Sequence, residues 1–209
     1  IWGRSKCDYC KKTLRWFELI PLLSFILQRG RCLRCHKKLS LQYPVIELAT
    51  GVMFVFLPWT QWILFSSLLV IFVSDLKYMI IPDSMIVFGL LGVLLQGHPL
   101  QMLQGVTFWI SAFGASLFFL LLFLITRGRG MGFGDVKLAF LLGLWLGFPR
   151  IVIAIYLAFL TGALVGVTLI LTGKKGMKSK IAFGPFLVLG AIIAYLYSSQ
   201  IIIWWNGMI

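Results

Sequence analysis

Seven apolar stretches divide the chain, at residues 39–58, 60–76, 80–96, 104–126, 138–149, 151–171 and 181–205. Polar or basic segments separate them. A helix needs roughly 20 apolar residues to cross a bilayer, with a working range of about 17–25. Six stretches fit that range, and 138–149 is shorter, so on length alone it is either a span or a re-entrant segment. Residues 1–38 are polar, basic and contain all four Cys, residues 127–137 are Gly-rich and basic, and 172–180 is a basic loop. No internal repeat or low-complexity tract interrupts this order.

Charge decides the short stretch. If all seven cross, with the N-terminal segment inside, the inside segments are 1–38, 77–79, 127–137 and 172–180. They hold ten, one, three and four Lys or Arg, which leaves only Arg150 of the nineteen outside. If 138–149 did not cross, Lys174, Lys175, Lys178 and Lys180 would move outside, against the positive-inside tendency. Seven spans are therefore expected, the short one extending back through Val136 and Lys137 with the Lys snorkelling to the surface.

Composition agrees: 60% of residues are hydrophobic and 12% charged, against about a quarter charged in a soluble domain. The net charge of +13 would point to nucleic acid only if the basic residues formed one soluble face. They lie between apolar runs, so no nucleic-acid partner is expected. The chain opens at Ile1, without Met and without a visible signal peptide, directly in the Cys-containing stretch. The reading is a chain lacking something N-terminal.

Only six residues are acidic, and Glu47, Asp75, Asp83 and Asp135 lie in or beside apolar stretches. Ionisable groups in membrane segments are costly and usually functional. Asp75 falls near the inner end of the second stretch. Asp135 falls just before the fifth, behind Gly132-Phe133-Gly134. A topology derived from Lys and Arg alone thus puts both at one membrane face. Two carboxylates at a partly desolvated site can share a proton, one activating water and the other protonating a carbonyl. Gly132 and Gly134 would let backbones approach closely beside an extended substrate. The plainer alternative is that each Asp flanks a helix, Asp135 capping one that starts at Val136.

Cys7-x-x-Cys10 and Cys32-x-x-Cys35 have the spacing of a four-sulfur zinc site. Basic neighbours such as Arg31, Arg34, Lys37 and Lys38 would offset its negative charge. The alternative is four reduced thiols. His36 is expected to be a bystander, since four Cys fill a tetrahedron.

The segment Gly132-Phe133-Gly134-Asp135-Val136-Lys137-Leu138 resembles the Gly-x-Gly-Asp motif of the prepilin leader peptidase/N-methyltransferase family, which are intramembrane aspartic peptidases. Ser74-Asp75 followed by Ile81-Pro82-Asp83 is similar to that family's first-aspartate region. Cys7-Asp8-Tyr9-Cys10, Trp16 to Pro21, Arg29-Gly30-Arg31-Cys32, Tyr43-Pro44, Glu47 and Phe183-Gly184-Pro185-Phe186 follow its pattern too, so the resemblance covers nearly the whole chain. It implies Asp75 and Asp135 as the catalytic pair, cleavage after a Gly in prepilin or pseudopilin precursors, and methylation of the new N-terminus by S-adenosylmethionine in the N-terminal region. The family accepts Asn where Asp83 stands, so Asp83 is read as capping the third membrane helix. Gly30 and Glu47 are candidates for methyl transfer; a turn before Cys32, and an ion pair with a basic neighbour, explain them equally well. The family usually has one more span ahead of the cysteine loop, eight in all.

The expected fold is an all-α polytopic transmembrane bundle of seven spans with a small cytoplasmic zinc module. Residues 1–43 would form the module and 44–209 the membrane-embedded peptidase, in a bacterial cell membrane with its site at the cytoplasmic face. Cleavage would use water and no metal. Two rivals are a proton-coupled transporter, which needs acids near the midplane, and a zinc-ribbon scaffold indifferent to Asp75 and Asp135. Trp59, Trp62, Trp204 and Trp205 read as an interfacial aromatic belt, Gly162-x-x-x-Gly166 as a packing face, His98 as solvated, and the Lys174–Lys180 loop as a topology anchor at the lipid surface.

Overall fold

The computed structural model describes residues 5–7, 9–96, 105–128, 130–173, 182–197, 200 and 203. Arg4, Asp8, His98, Lys174, Lys175, Lys178, Lys180, Trp204 and Trp205 lie outside these residues, so the expectations resting on them are not addressed by it. Among the described residues there is no β-strand, only two isolated bridges, Lys6 with Thr13 and Arg31 with Lys38. The chain divides into two compact units, Ile1–Pro58 and Trp59–Ile209.

The first unit holds a 3-10 turn at Trp16–Leu19, a short helix α1 (Leu23–Leu27) and an apolar helix α2 (Gln42–Phe56). Met53 is the only buried residue of α2.

The second unit is a bundle of α3 (Trp62–Tyr78), α4 (Asp83–Leu95), α5 (Val106–Ile125), α6 (Phe133–Leu146), α7 (Arg150–Leu171) and α8 (Gly184–Leu196). Among the described residues, three helical segments are long and apolar enough to cross a membrane, Trp59–Tyr78, Val106–Ile125 and Arg150–Leu171. Consecutive helices pair, α3 with α4, α5 with α6 and α7 with α8, and α3 and α6 both pack on α4 and α8. Lipid tails are as apolar as Leu, so such helices associate through close packing rather than exclusion from water. The tightest approaches use small residues. A Cβ on Gly143 would lie 2.7 Å from the Ala112 Cα, and one on Gly190 would strike the Ala154 carbonyl. Gly162 makes only ordinary contact with Phe183 and Phe186.

The short apolar stretch becomes the innermost helix. Ten residues of α6 are buried, from Asp135 through Leu138 to Leu146. The helix begins at Phe133, three residues earlier than Val136, because Gly132 serves as its N-cap and Asp135 accepts a hydrogen bond at its first turn. Lys137 does not snorkel alone: its Nζ lies 2.6 Å from the Asp83 Oδ1.

Candidate active site and cysteine cluster

Asp75 lies in the last turn of α3. That helix stops because Met79 takes the left-handed conformation, φ 54° and ψ 38°, its N–H donating to the Asp75 carbonyl at 2.9 Å. Pro82 then restricts Ile81 and opens α4. The side chain of Ser74 donates to the Ile80 carbonyl at 2.9 Å and ties this connection down. The connection meets the start of α6 at Gly134, where a Cβ would come within 3.0 Å of the Ile81 Cβ. The glycine is therefore a condition for bringing the Asp75 and Asp135 segments together.

Both carboxyls are buried, Asp75 at 6% and Asp135 at 5% exposure. They are close enough for their charges to interact, and both line one open cavity of about 500 Å³ together with Ile80, Ile81, Gly132 and Phe133. Each is held by one oxygen. The Gly132 N–H donates to the Asp135 Oδ2 at 3.1 Å, and the Gly184 N–H donates to the Asp75 Oδ2 at 3.0 Å. These two donors sit at the starts of α6 and α8, where backbone N–H groups lack helical partners and carry partial positive charge. The Asp135 Oδ1 is buried and has no hydrogen-bond partner among the described residues. One oxygen of Asp135 is therefore anchored and the other is available for chemistry. Capping and a functional role are compatible in this one side chain.

Gly184 is the contributor that reasoning from side chains misses. A Cβ there would sit 2.6 Å from the Asp75 Oδ2. Phe183 fixes its position by packing on Phe159 and Phe119, with ring centroids 5.0 and 5.9 Å away. The usable signal was Pro185 at the start of an apolar run, which marks a helix N-terminus and hence a free N–H group.

Asp83 differs from the expected cap. Its side chain makes no cap hydrogen bond, and it pairs instead with Lys137 at the wall of the same cavity. Glu47 does not make the ion pair that was the alternative to a role in methyl transfer. Its Oε2 accepts the Leu22 N–H at 2.8 Å, and it lines a cavity of about 320 Å³ within the first unit. Gly30 occupies the left-handed region, φ +66°, at the end of α1, and its N–H donates to the Phe25 carbonyl at 2.9 Å. The turn explanation for this glycine is therefore sufficient.

The four Cys converge on one point, their Sγ atoms all within 4.8 Å of one another. Each pair sits on the same kind of turn. The Cys7 N–H donates to the Lys12 carbonyl and the Lys11 N–H to the Cys7 carbonyl. The Cys32 N–H donates to Lys37 and the His36 N–H to Cys32. Lys11 and His36 are equivalent left-handed turn residues, φ 56° and 53°. His36 thus shapes the second turn and is not part of the sulfur cluster. Four sulfurs around a zinc ion at about 2.3 Å lie about 3.8 Å apart, and Cys7 and Cys35 are already 4.0 Å apart. The donor set therefore fits a tetrahedral thiophilic cation. The Cys35 and Arg34 N–H groups bring the Cys32 thiol down to about 7. For Cys35 the Lys37 N–H acts the same way, but loss of water and the neighbouring thiols outweigh it and push it up to about 11. Four thiolates this close need a cation between them.

Residues 62–167 match the type IV leader peptidase family, and residues 1–61 match the bacterial peptidase A24 N-terminal domain. The prepilin leader peptidase/N-methyltransferase of Bacillus subtilis (strain 168) is 36% identical over 211 residues, covering 95% of this chain and 84% of the relative. Those of Legionella pneumophila and Aeromonas hydrophila are 33% and 35% identical, over 98% and 97% of this chain and 76% and 74% of their own lengths. No solved structure matches the chain.

Proposed function

The chain belongs to the type IV leader peptidase family, and from that premise we propose that it is an intramembrane aspartic peptidase that removes the leader of prepilin-like precursors and methylates the new N-terminus. The observation that carries the peptidase reading is the pair of buried carboxyls facing one cavity, Asp75 and Asp135, each held by a helix N-terminal N–H. Two such carboxyls share one proton, since like charges this close do not both ionise without cost. The ionised one takes a proton from water as it attacks the scissile carbonyl. The protonated one gives its proton to the carbonyl oxygen. The Gly132 and Gly184 N–H groups hold the two side chains while this occurs. Gly134 keeps the cavity wall low enough for an extended backbone to enter.

In this reading the chain crosses a bacterial cell membrane seven times. The basic segments lie in the cytoplasm, and so does the opening of the cavity. The substrate's apolar helix enters the bilayer and its leader stays at that face, which puts the scissile bond at the depth of Asp75 and Asp135. Residues 1–43 act as the cytoplasmic module and 44–209 as the peptidase. Cys7, Cys10, Cys32 and Cys35 hold one structural zinc, which would fix their two turns together. Elemental analysis of protein purified without chelator is expected to give one zinc per chain. Because a proton competes with the metal for each thiolate, the zinc is retained at neutral pH and released on acidification. S-adenosylmethionine is the methyl donor, with Glu47 and Gly30 as candidates for its site.

The test is to co-express the chain with a prepilin-like protein and weigh the N-terminal peptide of the product. A shortened, methylated peptide is expected. A shortened but unmethylated one would leave a peptidase alone, and an intact leader would overturn the proposal.

A further inference from the structure

The first unit carries an exposed apolar surface that its own packing does not use. On α1, Leu23, Ile26 and Leu27 are 50%, 69% and 73% exposed. Their i, i+3, i+4 spacing puts them on one helix face. The 3-10 turn that packs against α1 adds Trp16, which is 78% exposed, and Leu19. Where α1 ends, the chain turns through Arg29 and Gly30, both in the left-handed region. An open cavity of about 400 Å³ follows at once, lined by Gln28, Arg29, Arg31, Leu33 and His36 beside Cys32. Apolar side chains and a basic, donor-rich hollow are therefore contiguous in sequence and joined by one turn.

We propose that α1 and this hollow form a docking surface for the headgroups of anionic lipids. The inference rests on the membrane reading above and adds a contact outside the bundle. Three observations on this unit favour lipid over another occupant. Residues 1–58 contain ten Lys and Arg against three Asp and Glu. Of those acids, Glu18 and Glu47 are each engaged by a backbone N–H, from Arg15 and Leu22. Residues 28–41 alone separate α1 from α2, an apolar helix with Val45, Leu48, Val52, Val55 and Phe56 exposed, so the docking surface is tethered within chain reach of a bilayer. An exposed Trp beside aliphatic residues, with Arg just beyond, is also the chemistry of an interface, rings and methyls below the headgroups and guanidinium groups at the phosphates. Arg suits this position because its planar fork binds two phosphate oxygens together.

The test uses the full chain in nanodiscs of phosphatidylcholine alone, or with a third of the lipid replaced by phosphatidylglycerol, and reads amide hydrogen exchange over residues 23–31. These amides are already hydrogen bonded, the Ile26, Gln28, Gly30 and Arg31 N–H groups to Leu22, Ser24, Phe25 and Gln28. Their exchange therefore reports opening of the segment. It is expected to slow about tenfold in the anionic discs, and the difference is expected to disappear in Arg29→Gln/Arg31→Gln and in Ile26→Gln/Leu27→Gln. Exchange over 9–14, whose Lys11 and Leu14 N–H groups bond to Cys7 and Ser5 away from the hollow, and over 133–146 should stay unchanged in both variants, which separates lost docking from lost folding. Equal exchange in the two discs would overturn the proposal, whether because the face is simply solvated or because the rest of the chain covers it. So would equal protection by inorganic phosphate in detergent, which would make the hollow a site for free phosphate. Leader cleavage is read separately, so a failed docking test leaves the peptidase reading untouched.

Discussion

The same three helices, α3, α6 and α8, make two very different ends of the second unit. At one end the start of α3 meets the far ends of α6 and α8. Gln61 donates to the Tyr195 hydroxyl, Trp145 stacks on Tyr195 at 5.0 Å, and Phe65 packs edge-on to Trp145 at 5.4 Å. At the other, the end of α3 meets the beginnings of α6 and α8, where glycines and two carboxyls border a cavity of about 500 Å³. Helix direction accounts for the contrast. A helix beginning offers free N–H groups, which can hold a carboxylate inside an apolar bundle. Two beginnings against one ending give two anchored carboxyls, whereas the opposite end offers mostly surfaces to pack.

Substitutions should separate the two ends. Outside the two carboxyls themselves, the largest loss of activity without loss of fold is expected for Gly184→Ala, whose Cβ would land 2.6 Å from the Asp75 Oδ2. Cleavage should fall about a hundredfold, as expected for a displaced reacting group, while the melting temperature barely moves. An Ala variant as active as wild type would show that the α8 N–H does not position Asp75. Trp145→Ala should do the reverse, costing about 3 kcal/mol of stability while the folded fraction cleaves at the normal rate. Tyr195→Phe strands the Gln61 amide, whose Oε1 is already buried without a partner among the described residues. A stability loss of about 1–2 kcal/mol should follow, visible in thermal unfolding and absent from the cleavage rate. Asp83→Asn should matter least, under about 1 kcal/mol, since the pair with Lys137 is solvent-exposed. A cleavage loss as large as that of Gly184→Ala would instead give Asp83 a part in the chemistry.

Much of this contrast was legible in the chain, and the rest was hidden for physical reasons. Acids are so rare among these apolar runs that Asp75 and Asp135 stood out, and the Lys and Arg distribution put them at one face without using them. The Cys spacing led to a sulfur cluster because two short turns geometrically suffice for it. Gly184 was marked only as part of the family pattern, and its role stayed hidden because its contribution is a backbone N–H, which any residue but proline carries. Asp83 was read as a cap because its local setting, directly after Pro82, is that of a helix start. Its partner Lys137 is 54 residues away. The start of α6 was placed late because Asp135, a common cap residue, directly precedes Val136 and so reads as the helix boundary. Here Gly132 is the N-cap, and the Asp135 side chain compensates for the weak first turn.

The peptidase reading requires Asp75 and Asp135 to act as one unit. The direct measurement is single-turnover cleavage of a prepilin-like substrate by wild type, Asp75→Asn, Asp135→Asn and the double variant, each checked for unchanged thermal unfolding. If the two carboxyls share one proton and one water, each single substitution loses at least about a thousandfold and the double loses no more than either. Losses that multiply in the double variant, or cleavage that survives either single substitution, would contradict a shared site.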